Sequence, residues 1–210
     1  MPRKEGLKIL LLGAHCDDIE IGCGGTLLKM IEDYDINQIK WVVFTSNVDR
    51  KKEAVSSANE FLETIPNADI TVFDYQDGYM PSAWPRIKDE FESIKKDFTP
   101  DIIFTHYRDD LHQDHRVVNE LTWNTFRNHL IFEFEIPKYD GDLGTPNLFF
   151  TLQEEQVKQK NKIIFDNFKS QLNKQWFDEE LLNAIMRMRG VECASETKYA
   201  EAFHTRKVII

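Results

Sequence analysis

The stretch that most constrains this chain is Lys8-Ile9-Leu10-Leu11-Leu12-Gly13-Ala14-His15-Cys16-Asp17-Asp18. A short aliphatic run ends at a glycine, and a histidine and two adjacent carboxylates follow at once. An apolar run of this length bounded by Gly predicts a fully buried strand, central in a parallel sheet. The polar cluster then falls at the strand's C-terminal end, where open α/β sheets place their ligand sites. His15 and Asp18 offer an imidazole and a carboxylate, both good donors for zinc or another divalent metal. Adjacent side chains on a turn point in different directions, so Asp17 need not bind the ion that Asp18 binds. It could instead act as a general base on water. Capping of the following helix explains an Asp pair equally well, and this stretch alone leaves the two readings open.

A second cluster separates them. Pro100-Asp101-Ile102-Ile103-Phe104-Thr105-His106 reads as another strand and runs into Arg108-Asp109-Asp110-Leu111-His112-Gln113-Asp114-His115-Arg116. His112 and His115 are three apart and share a face of a turn or first helical turn. A lone His is more often structural, but two His/Asp clusters, each directly after an expected strand, are hard to produce by chance. Two His and one carboxylate with an open position for water is a standard hydrolytic zinc arrangement.

These residues resemble the LmbE-like, or PIG-L-type, zinc-dependent de-N-acetylases. The first motif of that family is usually Ala-His-Pro-Asp-Asp, here Ala14-His15-Cys16-Asp17-Asp18; the second is His-x-Asp-His, here His112-Gln113-Asp114-His115. The resemblance implies that His15, Asp18 and His115 bind the metal, that Asp17 is the general base and that His112 stabilises the oxyanion, best if protonated. Arg50 matches an arginine that the family uses on its substrate, and Asp77-Gly78 matches an Asp-Gly that lines the pocket. A solvated helix start and a plain turn are the bland alternatives for these two. Asp114 is expected to orient a neighbouring His, or to be a charge at a helix start. Cys16 replaces the usual proline, which bears on the stiffness of the turn rather than on the donors; a buried inert thiol is the simplest reading. Weaker matches continue through Lys169-Ser170-Gln171, Arg189-Gly190 and Tyr199-Ala200-Glu201-Ala202-Phe203, so the resemblance spans almost the whole chain.

The formal net charge is -10, which argues against a nucleic-acid binder, since that needs a basic face to neutralise phosphates. It leaves room for an anionic small molecule held by a few local cations. Cys16, Cys23 and Cys193 form no CxxC pair and leave one odd, as reduced thiols do. Met1-Pro2-Arg3-Lys4-Glu5 leads straight to the first strand with no room for a signal peptide, and no apolar run is long enough to span a bilayer. A cytoplasmic protein with no membrane partner is expected; a homo-oligomer remains open.

Between the clusters lies Gly22-Cys23-Gly24-Gly25. A nucleotide loop is rejected, because Asp17, Asp18 and Glu20 occupy the approach a phosphate would need. The glycines are expected to let the backbone pass close to the metal site before a helix at about 26–33. Strands follow at 39–45, 70–73 and 101–105, with helices from Asp49, at 84–97 and at 114–128. Residues 130–136 alternate apolar and acidic, as an edge or half-exposed strand would. A strand at 147–152 and helices at 154–173 and 178–189 complete the chain, with Gly190 as the C-cap of the last. Alternating strands and helices with short connections imply a parallel sheet with right-handed crossovers. The expected fold is an α/β, Rossmann-like three-layer sandwich forming one LmbE-like domain over 1–210.

The expected reaction, which the resemblance supplies, is hydrolysis of an acetamide on an N-acetylated amino sugar or sugar conjugate. Two rivals stay open: an amidase on a thiol-sugar or other amide conjugate, and a non-catalytic sugar- or nucleotide-binding protein. The full set His15, Asp17, Asp18, His112 and His115 speaks against the last, because a binder has no need of a spare base.

Overall fold

The structure is a computed structural model that describes residues 6–208; the reading of residues 1–5 falls outside the described residues. In chain order its elements are β1 (Leu7–Gly13), α1 (Asp18–Asp33), β2 (Ile36–Thr45), α2 (Val48–Phe61), β3 (Asn67–Tyr75), α3 (Trp84–Asp97), β4 (Ile102–His106) and α4 (Gln113–Thr125). Then come β5 (Leu130–Phe134), β6 (Leu148–Leu152), α5 (Glu154–Asn167), α6 (Glu179–Glu192) and β7 (Tyr199–His204). The seven strands form one sheet in the order β3-β2-β1-β4-β5-β7-β6. The first five are mutually parallel, and β7 and β6 join antiparallel.

Why β1 is apolar on both faces follows from its place. Leu7, Ile9 and Leu11 point into a core shared with α1, α2 and α5, while Leu10 and Leu12 point into a second core under α3 and α4. Successive side chains of a strand alternate faces, so a strand covered on both sides must be apolar throughout. The result is the expected three-layer α/β arrangement with a mostly parallel sheet.

The placement of the two clusters also follows. The strand order reverses between β1 and β4, which pair directly, with Ile9 opposite Ile102 and Leu11 opposite Phe104. The connections leaving their C-terminal ends therefore open a crevice at the switch point of the sheet. One carries His15–Asp18 and the other His106–His115.

Four local expectations are corrected. The glycine-rich stretch is not a loop, because α1 starts at Asp18 and runs through it. Glycine in a helix interior costs about 1 kcal/mol relative to Ala, but here contact with the sheet requires it. A Cβ on Gly22 would lie 2.4 Å from the Phe134 ring, and one on Gly25 2.6 Å from Leu152. Next, β5 is interior rather than an edge, since β7 pairs along its outer side. Gly190 lies inside α6, where a Cβ would meet the Lys198 carbonyl oxygen at 2.1 Å; the C-cap is Cys193. Finally, α5 ends at Asn167, short of 173, and a 3-10 turn at Lys169–Gln171 follows.

Candidate active site

Three turns build the floor of the crevice. After β1 the chain bends through Ala14–Asp17, and Asp17 is the N-cap of α1. The backbone N–H of His15 donates to Asp18 Oδ2 at 2.6 Å, which folds the carboxylate back over the turn. After β4, Asp110 Oδ1 accepts the N–H of His112 at 2.8 Å, and His112 is the N-cap of α4. Its Nδ1 accepts the N–H of Asp114 at 3.2 Å. After β3, Asp114 reaches across to hold the Asp77–Gly78 turn, accepting from the N–H of Gly78 at 2.6 Å and of Met80 at 3.1 Å.

His15, Asp18 and His115 converge. His15 Nδ1 is 3.1 Å from His115 Nε2 and 3.3 Å from Asp18 Oδ2, and His115 Nε2 is 3.6 Å from Asp18 Oδ1. A tetrahedral ion with bonds of about 2.0–2.2 Å separates neighbouring donor atoms by about 3.3–3.6 Å. His115 Nδ1 donates to Asp110 Oδ2 at 2.8 Å, which leaves its Nε2 with a lone pair. His15 Nε2 faces carboxylates, Asp77 Oδ1 at 3.0 Å and Asp114 Oδ2 at 3.4 Å, though neither is aligned as a hydrogen bond. His15 Nδ1, His115 Nε2 and the Asp18 carboxylate thus converge on one point, where a divalent cation would take the two ring nitrogens and a carboxylate oxygen as donors.

The electrostatics agree. Burial opposes charge on His15, but Asp18, Asp114 and Asp77 outweigh it and hold its pKa well above the usual value. The field at the floor thus favours a cation. Burial and the neighbouring His106 hold His115 down at about 3, the neutral state a ligand requires. Burial pushes Asp18 up, but His115, His106 and His15 together hold it well below the ordinary carboxylate range.

Asp17 is set apart, as adjacent turn residues should be. Its Oδ1 accepts from Arg50 Nη2 at 2.8 Å, while Oδ2 is buried without a hydrogen bond. Burial raises its pKa; Arg50 opposes that and Asp18 adds to it. Burial and then His15 lower the pKa of His112. Because its Nδ1 accepts from Asp114, the neutral ring carries its proton on Nε2 and can donate without being charged. Arg50 is committed to Asp17 and lies over the Phe168 ring at 5.4 Å. Cys16 is buried, donates to the Thr45 carbonyl at 3.4 Å, and burial pushes its thiol up to about 12, which favours the neutral thiol.

All of His15, Asp17, Asp18, Arg50, Asp77, His112 and His115 line one cleft of about 560 Å³, large enough for a whole small ligand. Asp114 lies behind its wall, fully buried. The outer rim comes from Lys138–Asp140 and from Gln171, Lys174 and Trp176. Sequence reasoning missed three members of the cluster: His106, Asp110 and Lys138. Lys138 Nζ donates to Asp110 Oδ2 at 2.9 Å, so the carboxylate behind His115 is shared between an imidazole and an ammonium. The signal for His106 was its position: it ends a central strand, as Gly13 does just before His15.

Among solved structures, a conserved protein from Thermus thermophilus aligns over 97% of this chain and 96% of its own at TM-score 0.74 and 17% identity. The N,N'-diacetylchitobiose deacetylase from Pyrococcus horikoshii aligns over 97% and 85%, with TM-score 0.68 and 21% identity. A 4-carboxy-2-hydroxymuconate hydratase from Pseudomonas putida aligns over 97% and 98%, with TM-score 0.69 and 16% identity. At such identities the likeness establishes the fold, which serves more than one reaction. The sequence itself is more specific: residues 10–126, over half the chain and including both His/Asp clusters, match the profile described as PIG-L, GlcNAc-PI de-N-acetylase, and the chain belongs to that family.

Proposed function

We propose that this chain is a metal-dependent hydrolase that removes the acetyl group from an N-acetylated amino sugar, free or attached to a soluble nucleotide or small aglycone. The observation that carries the reading is the convergence of His15 Nδ1 and His115 Nε2, 3.1 Å apart, beside the Asp18 carboxylate, with an unpartnered carboxylate oxygen of Asp17 on the same cleft. His15, Asp18 and His115 would hold the ion, zinc or another divalent metal. Bound there, it would supply Lewis acidity, lowering the pKa of water toward about 7 and polarising the acetyl carbonyl.

The chain's own groups supply the rest. Asp17 Oδ2 takes the proton from the attacking water, and Arg50 keeps the carboxylate ionised for that task. His112 Nε2–H donates to the oxygen that becomes negative as the carbonyl carbon turns tetrahedral. Asp17 then returns its proton to the leaving amine. Asp77, on the wall of the cleft, can accept from sugar hydroxyls. Family membership and the chitobiose deacetylase among the fold neighbours support an N-acetyl sugar over other amides. Among the described residues no helix is long and apolar enough to cross a membrane, and the three cysteines are free, which fits a reducing compartment such as the cytoplasm.

The test is in two parts. Elemental analysis should find one divalent ion per chain, strongly reduced in His115→Ala; full occupancy in that variant defeats the donor assignment. Acetate release should be seen with an N-acetylglucosamine-type compound. More efficient turnover of a simple N-acetyl amino acid or an O-acetyl ester than of every N-acetyl sugar tried would replace the sugar with a wider amidase or esterase activity.

A further inference from the structure

We propose that His106 is a positioning residue that holds the three proposed metal donors in register, and that it is not itself a donor. The inference rests on the reading of His15, Asp18 and His115 as the metal centre.

His106 ends β4 and is fully buried. Its Nε2 edge and its ring face meet different segments of the site, while Nδ1 is buried without a hydrogen bond. Its Nε2 accepts the backbone N–H of Ala14 at 2.9 Å, which pins the turn that carries His15. Its ring face stacks on His115, with centroids 3.9 Å apart and planes 19° from parallel. The same Nε2 edge lies 3.1 Å from Asp18 Oδ2, the oxygen that the N–H of His15 holds, and Oδ1 is the oxygen nearer His115. The ring also packs against Phe134, with centroids 4.8 Å apart and planes 64° from parallel. One side chain thus braces the turn after β1, the first residue of α1 and the first turn of α4.

Distance alone would allow another role, because Asp18, His106 and His115 also bring three donor atoms together. The hydrogen bond decides against it. The Nε2 lone pair is used by the Ala14 N–H, and coordination through Nε2 would leave that buried N–H without an acceptor. His106 therefore acts on the ion through its neighbours, as groups behind a metal's ligands do.

Two variants divide the ring's two tasks. His106→Phe keeps a flat face against His115 and removes the acceptor. His106→Gln places an amide oxygen near the Nε2 position and removes the face. The probe is Co²⁺, titrated into metal-free protein in competition with a chromophoric chelator and followed through its visible d–d bands. We expect His106→Phe to bind Co²⁺ about 10- to 100-fold more weakly, His106→Gln to recover part of that loss, and both to show the wild-type bands at saturation. Wild-type affinity in both variants overturns the inference. A saturated His106→Phe spectrum that shows one imidazole fewer overturns it in favour of a ligand. If His106→Phe does not fold, the affinity of His106→Gln alone decides, with a value equal to wild type counting against a bracing role. A wild-type chain that takes up no Co²⁺ overturns the metal-centre reading itself, a failure distinct from the others.

Discussion

Replacing Arg50 by Met separates two ways in which one arginine can serve this site. The residue lines the cleft, where it could touch substrate, yet its Nη2 is already 2.8 Å from Asp17 Oδ1. Met keeps an unbranched side chain over the Phe168 ring and removes only the charge and its donors. What is left is a buried carboxylate without its cation. Deleting one partner of a buried ion pair typically costs about 3–5 kcal/mol. Arg50 keeps 14% of its side chain exposed, so solvent weakens the pair and about 2–3 kcal/mol is the better figure here. At about 1.4 kcal/mol per tenfold, the ionised form of Asp17 loses about 30- to 150-fold relative to the protonated form.

The sign follows from the role. A base works only when ionised, burial already raises the Asp17 pKa, and Arg50 is the group that lowers it. Its removal should move the acid limb of the kcat–pH profile to higher pH. Near neutrality kcat should fall by up to the same factor, recover in part as the pH rises, and leave KM nearly unchanged. The assay is acetate release from an N-acetyl sugar across the pH range, wild type beside variant. A KM that rises at every pH over an unmoved acid limb refutes the reasoning, and shows instead that Arg50 grips the substrate.

Other perturbations test the supports of the site. Asp17→Asn should keep its metal while turnover falls by about 10²–10⁴, as loss of a general base does; metal loss in this variant, with retention in Asp18→Asn, would exchange the two roles. Asp110→Asn should weaken metal binding by about 10- to 100-fold, measured by chelator competition, because it weakens the bond that sets the His115 tautomer. Glu20 is fully buried, neither of its oxygens has a hydrogen bond, and burial holds its pKa well above 4.5. The folded chain therefore keeps a proton that the unfolded chain releases above about pH 4.5, and that part of the stability is lost as the pH rises through the folded pKa. Glu20→Gln should remove this loss, so its urea midpoint should gain on wild type between pH 5 and pH 8; a constant offset would count against a protonated Glu20. Gly190→Ala should lower the urea midpoint strongly, since a Cβ there meets the backbone of Lys198 at 2.1 Å. Gly24→Ala, whose Cβ would meet only side chains, the tip of Phe61 at 3.0 Å and Lys160 Cγ at 3.5 Å, should be tolerated better.

The site was legible where its chemistry is local. His15 and Asp18 are three apart, as are His112 and His115, and each pair follows an apolar run that could only be a buried strand. That the runs are neighbours in space follows from the rule that parallel strands place their ligand-binding turns together. His106 could not be read this way. Its meaning lies in a bond to Ala14, 92 residues distant, and in a stack on His115, neither of which leaves a trace in spacing. Asp110 is equally silent in the sequence, because the bond of its Oδ2 to the His115 ring is a tertiary fact. The glycines of α1 failed for the opposite reason. Local propensity correctly counts them against a helix, and only the approach of Phe134 and Leu152 explains why the helix has them.

The last third of the chain misled most, and the reason bears on function. Residues 130–136 read as an edge because Glu133 and Glu135 alternate with apolar residues, yet both carboxylates are buried. Glu133 accepts from Trp123 Nε1 and Arg206 Nε, each at 2.6 Å, and Glu135 accepts from Arg189 Nη2 at 2.7 Å. These partners come from α4, from the end of the described chain just after β7, and from α6. The same network holds the loop that follows. Glu135 Oε1 accepts the N–H of Gly144 at 2.7 Å, and Arg189 Nη2 donates to the Gly144 carbonyl at 3.1 Å. Within that loop Asp142 pairs with Lys138 and accepts the N–H of Leu111 at 2.7 Å, next to His112. Lys138 is thereby delivered to Asp110, and Asp110 to His115. The antiparallel strands and α6 therefore do more than close the sheet. They fix the wall of the cleft that carries Lys138 and Tyr139, and through Lys138 they reach the carboxylate that sets the protonation of a proposed metal donor.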